Sequence, residues 1–120
     1  IRDRATEIEP LIMPFNPLWV TTSKREYREA VRRMGEEPGD TKGKDGLTSC
    51  IPGKGCVVWI SRKVKAPDLY ALAAHEATHA ACDMLASIGE DTPAAEELAY
   101  MVQTITAGII IACGGSDGDD

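Results

Sequence analysis

Residues 67–88 form the segment that most constrains how this chain can fold. Its apolar residues recur at helical spacing and cover most of the helix circumference: Leu69, Leu72, Ala73, Ala77, Ala80, Ala81, Met84, Leu85 and Ile88. A helix with so much apolar surface is stable in water only when other elements pack against it on several sides. Pro67-Asp68 indicates where this helix begins, and Gly89 indicates where it ends.

A second apolar helix is predicted directly after this one, beyond a short polar link. Thr92 is suited to the N-cap position, and Pro93 to the first helical position, where the missing N–H of proline costs nothing. The apolar pattern continues as far as Ala112 and stops at Gly114-Gly115. Because the link is so short, we expect the second helix to pack back against the first.

The first half of the chain predicts shorter elements. Ser23-Lys24-Arg25-Glu26 is a capping box that begins a helix, and Gly35 ends that helix. Residues 47–60 predict a β-hairpin, because two β-rich runs flank the turn signal Pro52-Gly53-Lys54-Gly55. We therefore expect one α+β domain over residues 1–120, with three helices packed on a small antiparallel sheet, in the manner of a minimal zincin.

The two ends of the chain predict irregular structure. Three prolines make residues 8–21 an extended apolar arm that drapes over the core, with a short edge strand at 18–21. We expect residues 114–120 to form a flexible acidic tail. The N-terminus lacks the layout of a signal peptide, and no run reaches the ~20 uninterrupted apolar residues that a membrane-spanning helix needs.

The cysteines indicate the redox compartment. Cys50, Cys56, Cys82 and Cys113 are too few and too scattered for a disulfide scaffold. We therefore expect free thiols and a cytoplasmic location, with a Cys50–Cys56 bridge across the hairpin turn as the alternative. The chain has no C-x-x-C pattern, which argues against a structural zinc site built from thiolates.

Charge is divided unevenly along the chain, and the division limits the partners. Residues 1–65 carry all thirteen basic residues and nine acidic ones, whereas residues 66–120 carry ten acidic residues and no basic one. An acidic half repels phosphate backbones, so we expect no nucleic acid partner, and no membrane partner either. The acidic half suits a cation. Oligomeric state is left open by the sequence.

Both histidines of the chain lie within the predicted helix at residues 67–88. On a helix, His75 and His79 are about 40° apart and one turn apart, so both imidazoles leave one face within reach of one metal ion. Glu76 lies about 100° round, where a carboxylate can hold a metal-bound water without being a ligand. This is an H-E-x-x-H pattern, which is typical of zinc metallopeptidases. The alternative is a helix with two satisfied histidines and a surface glutamate.

A catalytic zinc ion needs a third protein ligand and an open position for water. The acidic candidates that follow the histidines are Asp83, Glu90, Asp91, Glu96 and Glu97. Asp83 lies too far along the same helix to converge with both histidines, and we expect it either to bond a histidine N–H or to be solvated. Glu96 is favoured over Glu97, because it lies on the face of the next helix that continues through Tyr100. Small residues around the motif are expected to leave space for another segment to approach the imidazoles: Ala73, Ala74, Ala77, Ala80 and Ala81.

Two sequence elements together resemble a known family. His75-Glu76-Ala77-Thr78-His79 followed by Glu96-Glu97-Leu98-Ala99-Tyr100 is similar to the pairing of H-E-x-x-H with E-x-x-A-[YND] in small gluzincin-type proteins, often encoded by phages and prophages. The similarity covers roughly residues 47–112. It implies that Glu96 is the third zinc ligand. It also implies a small sheet packed on the active-site helix, with an edge strand that lines the substrate cleft and that the predicted hairpin can supply.

The expected function is hydrolysis of peptide bonds in a peptide or protein substrate, with one Zn²⁺ as cofactor. Zinc lowers the pKa of its bound water to about 7, and Glu76 accepts the proton as general base. Tyr100 is the candidate for stabilising the developing negative charge, with a partly buried core tyrosine as the alternative. A second class of function stays open: a non-catalytic interaction domain stabilised by zinc, such as a phage protein that binds a host or virion partner.

Overall fold

A computed structural model of the chain describes residues 6–8, 17–89 and 95–114. Its elements are, in chain order, β1 (Thr6–Ile8), β2 (Leu18–Thr21), α1 (Lys24–Arg33), β3 (Gly46–Ile51), β4 (Gly55–Ile60), α2 (Asp68–Ser87) and α3 (Ala95–Ala112). Within these residues, three helices and one four-stranded sheet confirm the predicted α+β fold. None of the described helices combines the length and the apolar character that a membrane-spanning segment requires.

Several predicted features lie outside the described residues. They are residues 9–16 of the apolar arm, residues 90–94 of the helix link, and residues 115–120 of the acidic tail. The link contains the predicted cap Thr92-Pro93 and two of the acidic candidates, Glu90 and Asp91.

The sheet is mixed, with the strand order β1-β2-β4-β3. The prediction of an antiparallel sheet was wrong at its centre, where β2 runs parallel to β4 and Leu18 lies opposite Cys56. The prediction of an edge strand at 18–21 was also wrong, because β1 pairs with the other side of β2. A parallel pair needs a long crossover, and α1 with the loop that follows it supplies that length between β2 and the hairpin.

The predicted hairpin is confirmed, with β3 antiparallel to β4 and a turn at residues 52–54. Cys50 and Cys56 are opposite each other across the two strands, and a disulfide joins them. The expectation of free thiols was therefore wrong for this pair, because the strand register places the two sulfurs together. Cys82 and Cys113 are free thiols.

The sheet has a helical layer on each face. Val57 and Trp59 of β4 pack with Tyr27 of α1 on one side. The alternate residues, among them Val58 and Ile60, pack with α2 and α3 on the other side. This alternation makes β4 buried along its whole length, with both faces covered.

Local signals at the ends of the helices behave largely as predicted. Ser23 Oγ accepts a hydrogen bond from the Glu26 backbone N–H at 3.1 Å, which is one half of the capping box. The Glu26 carboxylate instead accepts from Thr21 Oγ1 at 3.0 Å. Gly89, two residues after the end of α2 at Ser87, has a φ of 88°, the left-handed conformation that is common just beyond a helix C-terminus.

Candidate active site

The H-E-x-x-H motif lies where α2 packs along the edge strand β3. Side chains alternate along β3, so that Thr48 and Cys50 face α2 whereas Leu47 and Ile51 face the α1 side. The resemblance to gluzincin-type proteins implies this kind of arrangement, with a sheet packed on the motif helix. The strand and the helix together form the wall that carries the candidate site.

Glu76 is buried between α2 and β3, with 5% of its surface exposed. Thr48 Oγ1 donates a hydrogen bond to Glu76 Oε1 at 2.6 Å and lies 3.4 Å from the Glu76 backbone carbonyl oxygen. A buried carboxyl group needs such a partner, because leaving it unpaired costs free energy. The alternative reading of Glu76 as a surface glutamate was therefore wrong.

Gly46 allows the strand to come close to this carboxyl group. A Cβ atom at position 46 would lie 3.4 Å from Glu76 Oε2, 3.3 Å from Leu72 Cδ2 and 3.1 Å from the Trp59 carbonyl oxygen. The last two distances are too short for a comfortable contact. Glycine at this position therefore allows β3 to pack closely on α2, with Glu76 Oε2 next to the first residue of the strand.

The two histidines lie on the open side of α2. Both side chains are exposed, and their ring centroids are 4.8 Å apart with an angle of 76° between the ring planes. The prediction that His75 and His79 leave the same helix face is confirmed by this proximity. Two imidazoles so placed can approach one metal ion after small side-chain rotations.

His75 and Glu76 border a shared open hollow. Its other lining residues come from the start of β3 and the loop before it, and from the preceding turn of α2: Lys44, Asp45, Gly46, Ala71 and Leu72. The buried carboxylate and the exposed imidazole thus meet the same solvent-accessible space.

The third ligand is the part of the predicted metal site that the structure does not assemble. Within the described residues, no group of three or more His, Cys, Asp or Glu side chains is placed to hold a metal ion. Glu96 is exposed and Glu97 is half-buried at the start of α3. Neither carboxyl group forms such a group with the two histidines. The residues present therefore fit a zinc ion in part, and Glu96 as a ligand stays a prediction.

Asp83 and Tyr100 were the other residues with open roles. Asp83 is exposed beside Ser49 and Pro52 of the hairpin, and in the described part of the chain no hydrogen bond joins it to either histidine. Tyr100 is 43% exposed on α3, which excludes a core tyrosine. Its role towards a developing negative charge stays a prediction.

The buried alanines of α2 do not provide space around the two histidines. Ala73, Ala77, Ala80 and Ala81 are completely buried in the core cluster that α2 forms with the sheet and α3. The expectation that they leave space around the imidazoles was therefore wrong for these four residues. Their small size allows α2 to lie close to both neighbours instead.

Thr48 and Gly46 were missed as site residues by the sequence reasoning. The predicted hairpin contained part of the signal, because Thr48 and Cys50 lie at alternate positions and so share one face of β3. Gly46 lies one residue before the predicted hairpin and is the first residue of β3. The sequence did not indicate which face meets α2. That choice depends on the packing of the whole sheet between two helical layers.

The chain was compared with protein-family models, with curated proteins and with solved structures, and none of them matches it. The resemblance to gluzincin-type proteins therefore rests on the residues of the two motifs. The function has to be inferred from the side chains around α2.

Proposed function

We propose that this chain is a zinc-dependent metallopeptidase in which His75 and His79 bind the metal and Glu76 is the general base. The observation that supports it best is the placement of the three motif side chains. The two imidazoles lie together on the exposed face of α2, and the Glu76 carboxyl group is hydrogen-bonded to the edge strand β3. Imidazole nitrogen is a preferred donor for zinc, and a third ligand from the chain would leave a position for water. In this proposal Glu96 is that ligand.

In this proposal each side chain of the site has a separate role in peptide hydrolysis. A zinc ion held by His75 and His79 would make its bound water acidic enough to lose a proton near neutral pH. Thr48 occupies Glu76 Oε1, so Oε2 is the oxygen left to take that proton and to pass it to the leaving amine. Tyr100 is proposed to stabilise the negative charge that develops on the peptide carbonyl oxygen.

The edge strand supports the choice of a peptide or protein as substrate. β3 has β4 on one side in the described sheet, and its other side is an edge. An extended peptide can pair with such an edge through main-chain hydrogen bonds. Pairing at β3 would bring the peptide across the hollow that His75 and Glu76 share.

A cytoplasmic location is part of the proposal and has evidence on both sides. The free thiols of Cys82 and Cys113 favour a reducing compartment. The Cys50–Cys56 bridge favours an oxidising one. A free-thiol assay on freshly lysed cells that express the chain decides between the two.

A non-catalytic domain stabilised by zinc is the second candidate function. The burial of Glu76 favours it, because a carboxyl group that is 5% exposed and bonded to Thr48 can be purely structural. In that case zinc binding matters for folding, and the domain binds a partner protein without cleaving it.

Cleavage of unstructured peptides by wild-type chain and by Glu76→Gln tests the proposal. Glutamine keeps the shape of the side chain but cannot take a proton, so we expect hydrolysis to fall by about 10²–10⁴-fold with unchanged zinc content. Glu29→Gln is the control, because Glu29 is exposed on α1, on the opposite face of the sheet. Equal cleavage by wild type and Glu76→Gln contradicts the assignment of the base. Zinc binding without cleavage of any peptide supports the second candidate.

A further inference from the structure

A groove of about 350 Å³ lies beside β3. Its lining includes the successive strand residues Thr48, Ser49, Cys50 and Ile51. Successive side chains of a strand point to opposite faces of the sheet, so a hollow that touches four of them in a row lies at the strand edge and not over one face. Because β4 occupies one edge of β3, the groove follows the other, open edge.

The open edge of β3 carries backbone groups without partners. In an antiparallel pair, alternate residues bond the partner strand, and the residues between them direct their N–H and C=O groups outward. From Leu47 to Cys50, no hydrogen bond in the part of the chain that the structure describes reaches a backbone group of β3, apart from the ladder with β4. Such groups pair readily with an added strand. The edge therefore points to an extended peptide as its occupant.

The walls of the groove are acidic on both sides of the sheet. Glu36 and Glu37 follow α1 on one side, and Asp83 lies on α2 on the other. All three residues are exposed, and among the described residues no ion pair or hydrogen bond involves their carboxylates. None of the described lining residues is basic. Basic side chains on the peptide would therefore complement the charge of both walls.

The same charges disfavour a second copy of this chain as the occupant. Two β3 edges that paired with each other would bring two sets of these carboxylates together, with no basic side chain from either groove. Like charges at such short range destabilise the pairing of strands. A strand from another molecule that carries basic side chains avoids this repulsion.

We propose that this groove binds an extended peptide with two successive basic residues and, resting on the proposed peptidase function, that such peptides are the substrates. Successive side chains of an added strand point to opposite faces, so one basic side chain is directed towards Asp83 and the next towards Glu36 and Glu37. Thr48 connects the groove to the candidate active site, because it lines the groove and donates a hydrogen bond to Glu76.

NMR titration of the wild-type chain with two eight-residue peptides at low salt tests the charge preference. The first is acetylated and amidated Thr-Val-Thr-Arg-Arg-Thr-Val-Thr, and the second has glutamine in place of both arginines. We expect the arginine peptide to bind at least about fivefold more tightly, because each exposed ion pair adds a small increment of affinity. This advantage should shrink as salt is added, since salt screens exposed charges.

Charge variants test the two walls separately. Asp83→Asn and the double variant Glu36→Gln/Glu37→Gln should each weaken binding of the arginine peptide by about threefold. Both should leave the affinity of the glutamine peptide unchanged. Asp68→Asn is the matched control, because Asp68 is an exposed carboxylate at the start of α2 that does not line the groove.

Hydrogen exchange of the backbone amides tests whether the bound peptide pairs with β3. With saturating arginine peptide, alternate amides from Thr48 to Ile51 should exchange at least about tenfold more slowly than in the free chain, because new main-chain hydrogen bonds protect them. The amides of β1, at the opposite edge of the sheet, should exchange at an unchanged rate.

Three results would overturn the proposal. The first is equal affinity for the arginine and glutamine peptides. The second is a loss of affinity in Asp68→Asn as large as in the groove variants, which would show general attraction to an acidic protein. The third is unchanged exchange along β3 with the peptide bound, which would show that the acidic side chains only keep strand edges apart.

Mass spectra of both peptides after incubation with the zinc-loaded chain separate this proposal from the peptidase function. Binding of the arginine peptide without cleavage supports the groove and counts against the peptidase. Equally efficient cleavage of the two peptides supports the peptidase and overturns the preference for basic residues.

Discussion

Thr48 Oγ1 donates a 2.6 Å hydrogen bond to Oε1 of Glu76, and the two residues are 28 positions apart in the chain. The bond connects the edge strand of the sheet to the one acidic residue of the H-E-x-x-H motif. In the proposed enzyme it fixes which oxygen of Glu76 is free to accept a proton. In the alternative, zinc-stabilised domain, the same bond only satisfies a buried carboxyl group.

Removal of the Thr48 hydroxyl group should destabilise the fold. Thr48→Val keeps the shape of the side chain but leaves Glu76 without its donor, and we expect the free energy of unfolding to fall by about 1–3 kcal/mol. Thr48→Ser keeps the hydroxyl and should lose less than half of that amount. Urea denaturation of the three proteins provides the measurement. Equal losses in the valine and serine variants would show that the methyl group, and not the hydrogen bond, is what matters.

A side chain at position 46 should separate β3 from α2. Gly46→Ala places a Cβ atom 3.1 Å from a backbone oxygen of β4, and we expect a loss of about 1–3 kcal/mol in the free energy of unfolding. Gly39→Ala is the control, because nothing lies within 4 Å of a Cβ atom there. The control should be neutral or slightly stabilising, since alanine restricts the unfolded chain. A neutral Gly46→Ala would contradict the close packing of β3 on α2.

The Cys50–Cys56 bridge should contribute to stability. Its sequence separation is 6, and closing such a short loop in the unfolded chain corresponds to about 2 kcal/mol. We expect dithiothreitol to lower the stability of the wild type by this amount and to leave the double variant Cys50→Ala/Cys56→Ala unaffected. A thiol assay in denaturant should find two free thiols before reduction and four after it. Four free thiols before reduction would show that the bridge does not form.

Substitution of Glu96 and substitution of Glu97 should have different effects on zinc affinity. If Glu96 is the third ligand, Glu96→Ala should weaken zinc affinity by at least about tenfold, whereas Glu97→Ala should leave it within a factor of three. Calorimetric titration of zinc into each metal-free variant measures both values. A larger loss in Glu97→Ala would move the ligand by one residue, which agrees with its greater burial on α3. Unchanged affinity in both variants would exclude α3 as the source of the ligand.

Local signals predicted most of the fold. The capping box at Ser23, the turn at residues 52–54 and the end of α2 before Gly89 depend on neighbouring residues, so the sequence was sufficient for them. The parallel pairing of β2 with β4 depends on contacts between residues far apart in the chain. Pro17 and the prolines before it pointed to an edge strand, but Pro17 precedes the first residue of β2 and leaves its ladder intact.

The sequence predicted only the part of the candidate site that follows from the geometry of α2 alone. The spacing of His75 and His79 fixes their shared face, and helix geometry alone gives that result. The burial of Glu76 depends on which face of β3 meets α2, and the position of Glu96 depends on where α3 begins after the link. Neither can be obtained from helix periodicity, because both are set by the packing between elements.

Zinc binding to the metal-free chain, measured by calorimetric titration of the wild type and of His79→Ala, tests the central claim most directly. The account predicts one zinc ion per chain in the wild type and a loss of affinity of at least about 100-fold in His79→Ala. Thr78→Ala is the control, because this exposed motif residue bonds the Ala74 carbonyl oxygen and should leave the affinity unchanged. A wild type that binds no zinc, or an affinity that His79→Ala does not change, would contradict the account.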